Sequence, residues 1–222
     1  MMIASIARTR HLLAGILLLL VGIAPAAAQD DIAVTALLQP SSGCELASTE
    51  NVTVRIFNYG ASLPAATTFI AAYRINSGPF VTEQVVLAAP LLSNSAFSYT
   101  FTSQANLTAP GAFTIDATVS LGSDVTPTNN AFNGTAITNS AAPVAGTVTG
   151  PPPGPNGTLT LSGQTGAVAQ WEESPDSLRW FKLANTTTTQ AYSGITTPTR
   201  FRVRVANGSC PPALSSVFVV NP

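Results

Sequence analysis

The chain has 222 residues, 45% of them hydrophobic and only 9% charged, with a formal net charge of −1. A chain this apolar can bury a core, which excludes a disordered solvating segment, and it lacks the basic surplus that holds nucleic acid. Histidine occurs once and cysteine twice, which narrows the available site chemistry before any element is placed.

Arg8, Arg10 and His11 precede an apolar run from Leu12 to Ala24, then Pro25 and small residues. This is the pattern of a secretory signal peptide over residues 1–28, with Ala26-Ala27-Ala28 at the cleavage site and a mature start at Gln29. The run is shorter than the roughly 20 apolar residues of a membrane helix, and no later stretch is long enough, so no membrane span is expected after cleavage. His11 would leave with the leader. No Ser-His-Asp or Cys-His mechanism could then form, and two distant cysteines do not make a structural zinc site. We therefore assign no catalytic residue, cofactor or metal.

The rest of the chain reads as all-β, with short alternating segments and turn punctuation throughout and no apolar helical periodicity. Over residues 29–139 strands are predicted at Ile32–Leu38, Asn51–Phe57, Thr67–Ile75, Phe80–Leu87, Ala96–Thr102, Ala112–Leu121 and Ala131–Thr138, the spacing of a sandwich. Val52, Val54 and Ile56 share one face of their strand, as do Phe97, Tyr99 and Phe101, and both rows are assigned to the core. Asn76-Ser77-Gly78-Pro79 suits a hairpin turn. In GSDVTPTNN, Asp124 with Asn129 and Asn130 could ligate calcium, as could Asp30 with Asp31. One Asp plus amides is little charge for such an ion, so the segment is read as an Asx-rich turn.

Residues 140–156, rich in Pro and Gly, are expected to be a semi-stiff linker and the start of a second domain over 157–222. Its strands are predicted at Thr158–Ser162, Ala167–Glu173, Leu178–Ala184, around Tyr192, Arg200–Ala206 and Ser215–Val220. Glu172 and Glu173 are neighbours on a strand and face opposite ways, so they cannot act as a glycosidase pair on one bond. Asp176 sits in an exposed Ser-Pro-Asp-Ser turn. The simpler reading is a hairpin with Trp171 in the core and the carboxylates keeping its turn and strand end soluble. Trp180 and Tyr192, with Arg200, Arg202 and Arg204, are the candidate ligand contacts. The competing reading makes the arginines a solvated sheet face, with Glu172 and its neighbours as cross-strand partners.

The segments DIAVTALLQPSSGCELASTENVTVRIFNYG and SYTFTSQANLTAPGAFTIDATVSLGSDVTPTNN resemble the cell-adhesion-related, CARDB-like β-sandwich domain of bacterial surface proteins. The segments NGTLTLSGQTGAVAQWEESPDSLRWFKLANTTTT and TTPTRFRVRVANGSCPPALSS resemble the immunoglobulin-like repeats of very large secreted adhesins of gliding bacteria. These resemblances imply two tandem immunoglobulin-like sandwiches, an adhesive or structural role without catalysis, and partners among surface proteins or extracellular polysaccharide. They place the chain outside the bacterial cell, on its outer surface or in the periplasm. Carbohydrate binding and a self-associating surface fibre remain as alternative functions. Relatives of the second domain often carry a cysteine before TLTLSG, and this chain reads TGPPPGPNG there.

Cys210 therefore needs another partner. In a Greek-key sandwich the loop after the first strand lies at the exit end, and the loop before the last strand lies at the entry end. Cys44 holds the first position in one domain and Cys210 the second position in the other, which predicts an interdomain disulfide in an oxidising compartment. Free thiols and intermolecular bonds stand beside it as alternatives.

Overall fold

The computed structural model describes residues 29–222, so the expected signal peptide lies outside the described residues. Among the described residues no helix is long and apolar enough to cross a membrane. The first module is built from β1 (Ile32–Gln39), β2 (Gly43–Cys44), β3 (Thr53–Asn58), β4 (Thr68–Ile75), β5 (Val81–Val86), β6 (Ser95–Thr100), β7 (Gly111–Ser120) and β8 (Ala131–Ser140). A three-stranded sheet, β1-β3-β6, packs on a five-stranded one, β2-β8-β7-β4-β5. Alternation decides which side chains enter the gap between them: Val52, Val54 and Ile56 are fully buried against Phe69, Tyr73, Phe101, Ile115 and Val119. Each such burial contributes roughly 1.5–3 kcal/mol relative to exposure.

The second module comprises β9 (Thr147–Thr149), β10 (Gly157–Ser162), β11 (Ala167–Ser174), β12 (Phe181–Leu183), β13 (Thr189–Tyr192), β14 (Thr199–Ala206), β15 (Ala213–Leu214) and β16 (Phe218–Val220). Its three-stranded sheet is β13-β10-β9, and the facing sheet runs β12-β11-β14, with β15 and β16 both on β14. The two modules share one topology: the first, second and fifth main strands face the others, all antiparallel except the short parallel pair β2–β8. The chain is thus a tandem of immunoglobulin-like β-sandwiches. Trp171, Phe201, Val203 and Val205 fill the second core with Leu159 and Leu161.

Local structure adds detail in three places. The Pro/Gly-rich segment contains β9, whose Val148 is buried in the second core. Residues 150–156 therefore form a loop inside the second module between β9 and β10. The return strand of the 167–183 hairpin begins at Phe181 instead of Leu178. Ser174 and Asp176 side chains accept the backbone N–H groups of Ser177, Leu178 and Arg179, and those bonds hold the intervening residues as a turn. The two-residue strand β2, which no periodicity could signal, pairs with the end of β8.

At the open edge of the first sandwich β5 and β6 belong to different sheets, and Glu83 ties them. Its carboxylate accepts Tyr99 O–H at 2.7 Å, Thr102 N–H at 3.0 Å, Thr102 O–H at 2.7 Å and Ser103 N–H at 2.8 Å. Partial burial pushes the Glu83 pKa up, but these donors outweigh it and bring it from 4.5 to about 2. Burial and the same bond push the Tyr99 hydroxyl up to about 12. A depressed carboxylate stabilises the fold fully above its unfolded pKa, and the contribution disappears as pH falls through the folded value. Urea midpoints of the wild type should accordingly drop as pH falls from about 4.5 toward 2. Glu83→Gln should lower stability at pH 7 by about 1–2 kcal/mol and flatten that acid limb. An unchanged limb in the variant would show that another carboxylate governs it.

Candidate functional site

Two places gather polar chemistry: the outer face of the larger sheet in each module, and the junction between modules. On β11, Trp171 points into the core and donates its indole N–H to the Thr187 carbonyl at 2.9 Å. Its neighbour Glu172 points to the outer face, yet is only 3% exposed. Arg202 Nε donates to Glu172 Oε2 at 2.6 Å, while Arg204 Nε and Gln170 Nε2 donate to Oε1 at 3.3 and 2.6 Å. The Trp180 ring lies over the Arg202 guanidinium at 3.8 Å and closes the cluster from above. Burial pushes the Glu172 pKa up, and the bonds from Arg202, Gln170 and Arg204 more than reverse this, so the carboxylate is held below its ordinary range. An ionised carboxylate engaged on both oxygens is a structural anchor and is unsuited to act as a general acid.

The expected roles of these residues divide accordingly. Glu172 does not serve solubility: the outer face is covered here by Trp180 and the arginine stems. Arg202 and Arg204 are its cross-strand partners, as the sheet-face reading expects, and Arg200 donates to the Pro175 carbonyl at 2.9 Å, bracing the turn. Tyr192 is only 8% exposed and packs against Phe201, so it offers no surface to a ligand. What the hairpin does present is Leu178, 86% exposed, and Phe181, 55% exposed, with Arg179 and Lys182 between and beside them. Alternation does not signal this pair, because it counts Leu178 as a strand residue while the strand begins at Phe181.

The first module repeats the arrangement with its charges exchanged. Arg74 on β4 pairs in register with Asp116 on β7, at 2.8 Å, and Phe80 lies 4.9 Å from the guanidinium. In the second module the acid is on the equivalent strand β11 and the arginine on β14, again in register. In each case the aromatic residue comes from just before the next strand.

Among the candidate calcium residues the three carboxylates are engaged with neighbouring side chains and backbone, whereas the buried Oδ1 atoms of Asn129 and Asn130 have no hydrogen-bond partner. Asp124 accepts the N–H groups of Ile32 and Thr126, Asp30 accepts the Ser123 hydroxyl, and Asp31 accepts the Asn129 amide. Among the described residues no group of three or more acidic, histidine or cysteine side chains converges as a metal site. The bonds of Asp124 to Ile32 and of Asn129 to Asp31 fix the first strand to the 123–129 turn.

At the junction Cys44 and Cys210 form one intramolecular disulfide across 166 positions, the bridge that the sandwich topology predicts. β2 places Cys44 beside Ser140, and buried Asn139 locks this end by accepting Leu46 N–H at 2.8 Å and donating to the carbonyls of Leu107 and Thr108. From the other side Asn207 donates to the Ala141 carbonyl at 2.8 Å, and Ser209 N–H donates to Ser140 Oγ at 3.2 Å. The Cys210 sulfur lies 3.2 Å from the Ser140 carbonyl, a contact only, since a disulfide sulfur has no proton to donate. Gly208 has φ +52°, and a Cβ there would come within 2.0 Å of Ser140 Oγ. The loop approaches Ser140 this closely because residue 208 has no side chain.

Residues 144–221 match a family model described as a domain of unknown function, DUF8696. No curated protein matches the chain significantly. Among solved structures, the chain is similar to a CARDB domain from Pyrococcus furiosus crystallised with di-metal ions, at 16% identity and TM-score 0.33, covering 50% of this chain and 89% of that one. It is also similar to titin domains A168–A170, at 13% identity and TM-score 0.43, covering 87% and 67%. A tetra-tandem repeat from the extending region of a large adhesion protein aligns at 10% identity and TM-score 0.36, covering 88% of this chain and 50% of that one. At these TM-scores the likenesses transfer no residue role.

Two substitutions probe these places. Glu172→Gln leaves Arg202 and Arg204 without their anion and should cost about 2 kcal/mol in urea unfolding at pH 7. Gly208→Ala combines a left-handed φ with a clash and should cost about 1–3 kcal/mol, with faster amide exchange at Ser209 than in the wild type. Unaltered exchange at Ser209 would mean that the loop does not depend on close approach.

Proposed function

We propose that the protein is a non-enzymatic extracellular module pair, adhesive or structural, that presents the 174–181 turn to a surface partner. The observation that carries this reading is the locked junction: a disulfide between modules, backed by hydrogen bonds onto Ser140 and Ala141, holds the two sandwiches at one angle. A persistent disulfide of this kind belongs to an oxidising compartment, which supports secretion.

The hairpin supports the choice of contact surface. Its turn is braced by Ser174, Asp176 and Arg200, so Leu178 and Phe181 are displayed with little freedom left to lose on binding. Exposed apolar side chains on a rigid support, flanked by Arg179 and Lys182, suit a partner surface that is apolar at its centre and acidic at its rim. Surface proteins and acidic extracellular polysaccharide both fall within this reading. Engagement of Glu172 on both oxygens supports the absence of catalysis.

Labelled protein spanning residues 29–222 should adsorb saturably to cells of the producing organism, and Leu178→Asp with Phe181→Ser should weaken adsorption at least about tenfold with an unchanged melting temperature, a loss of about 1.4 kcal/mol or more. Absence of saturable adsorption by the wild type would remove the adhesive reading. Equal adsorption by the double variant would move the contact elsewhere on the protein.

A further inference from the structure

The disulfide does more than set an angle, because of where its two ends lie along the chain. The described chain starts at the pole of the first module away from the junction, where Gln29 accepts Ala61 N–H and Ile32 N–H donates to Asp124. β1 runs from that pole along β3, and the chain reaches Cys44 at the junction pole beside Ser140. Across the bond, Cys210 sits at the near pole of the second module. The last strands, β15 and β16, then run along β14 from Ala206's end to Thr199's end, and Asn221 accepts Gly154 N–H at the far pole. A continuous covalent line therefore joins the two far poles through β1, the disulfide and the final strands.

We propose that the Cys44–Cys210 bond is a tension shunt: force entering at residue 29 and leaving at residue 222 passes through this line, so it loads the core side chains of the terminal strands, Ile32, Val34 and Val220, but not the chain enclosed between the two cysteines. The cores are formed chiefly by strands β3 to β14, which lie inside the covalent loop. Pulling on the ends cannot separate Cys44 from Cys210, so it cannot draw out the enclosed chain. At roughly 3.3–3.6 Å per residue the 166 enclosed positions hold back about 550–600 Å of chain. Residues 29–44 and 210–222 together span only about 100 Å when fully extended. The hydrogen bonds of Asn207 and Ser209 onto the 140–141 segment keep the bond's two ends in place before any load arrives. The adhesive reading supplies the source of tension in use, whereas the shunt itself rests only on the connectivity of the disulfide.

Single-molecule stretching tests it directly, with handles on residues 29 and 222 of the protein purified without reductant. The oxidised protein should release no more than about 100 Å of chain, however high the force. The same molecules in dithiothreitol should release more than about 500 Å in unfolding steps. Comparing one protein before and after reduction avoids reliance on a cysteine variant that might not fold, and Cys44→Ser with Cys210→Ser serves as an added control. Long steps from the oxidised protein, with the disulfide verified by mass, would overturn the proposal, as would short release after reduction. Loss of adsorption to cells alongside the expected stretching result would overturn the adhesive reading and leave the shunt standing. Adsorption with long oxidised steps would do the reverse.

Discussion

The bond between Cys44 and Cys210 is the constraint on which the rest of the molecule's arrangement depends. Each sandwich has its own core and its own closed set of strand pairings, so nothing in either one dictates how the other should sit. Closing a loop of 166 residues removes conformational freedom from the unfolded chain and stabilises the fold by about 5 kcal/mol in the chain-entropy account. The hydrogen bonds around it could not hold the same angle alone: few in number and partly exposed, each contributes only about 0.5–1.5 kcal/mol. Covalent connection and close approach of Gly208 to Ser140 together tie the two modules to each other at the junction.

Away from the junction, both modules solve the same problem on the outer face of the larger sheet. A sheet that is packed on one side and open on the other needs polar groups that tolerate being half covered. Here an in-register acid and arginine join neighbouring strands, and an aromatic ring from the following connection lies over the guanidinium: Phe80 over Arg74, and Trp180 over Arg202. The guanidinium suits this role because it can hydrogen-bond in its plane while stacking on its face. The acid and the base are exchanged between the two modules. In the second module the cover is deeper, because Arg204 and Gln170 join and the tryptophan is larger, and Glu172 becomes a buried anion.

Much of the fold was legible because strand alternation is a local property. Val52-Thr53-Val54-Arg55-Ile56 and Phe201-Arg202-Val203-Arg204-Val205 announce which side chains turn inward, and all of those apolar residues are buried. The disulfide was legible for a different reason: topology places particular loops at particular poles, and only two cysteines existed to be matched. Two of the short strands were not legible. β2 and β9 are two or three residues long, too few to show a period, and they exist because β8 and β10 offer free edges. The Ser174–Arg179 turn was under-read because two side-chain acceptors extended it past the proline.

Periodicity and turn chemistry, which act over a few residues and need no distant partner, were enough to mark the chain as all-β, with strands at the spacing of a sandwich. The sequence also excluded histidine-based chemistry from the described residues, because residues 29–222 contain no histidine. Which outward side chains are exposed was settled by long-range packing. Facing away from the core is a property of the strand, but exposure depends on what arrives from elsewhere: Trp180 from the same hairpin and Arg202 from β14 cover Glu172, while Tyr192 turns in against Phe201 and Leu178 is left in the open. Those outcomes are set by long-range packing, to which a local pattern of alternation carries no information.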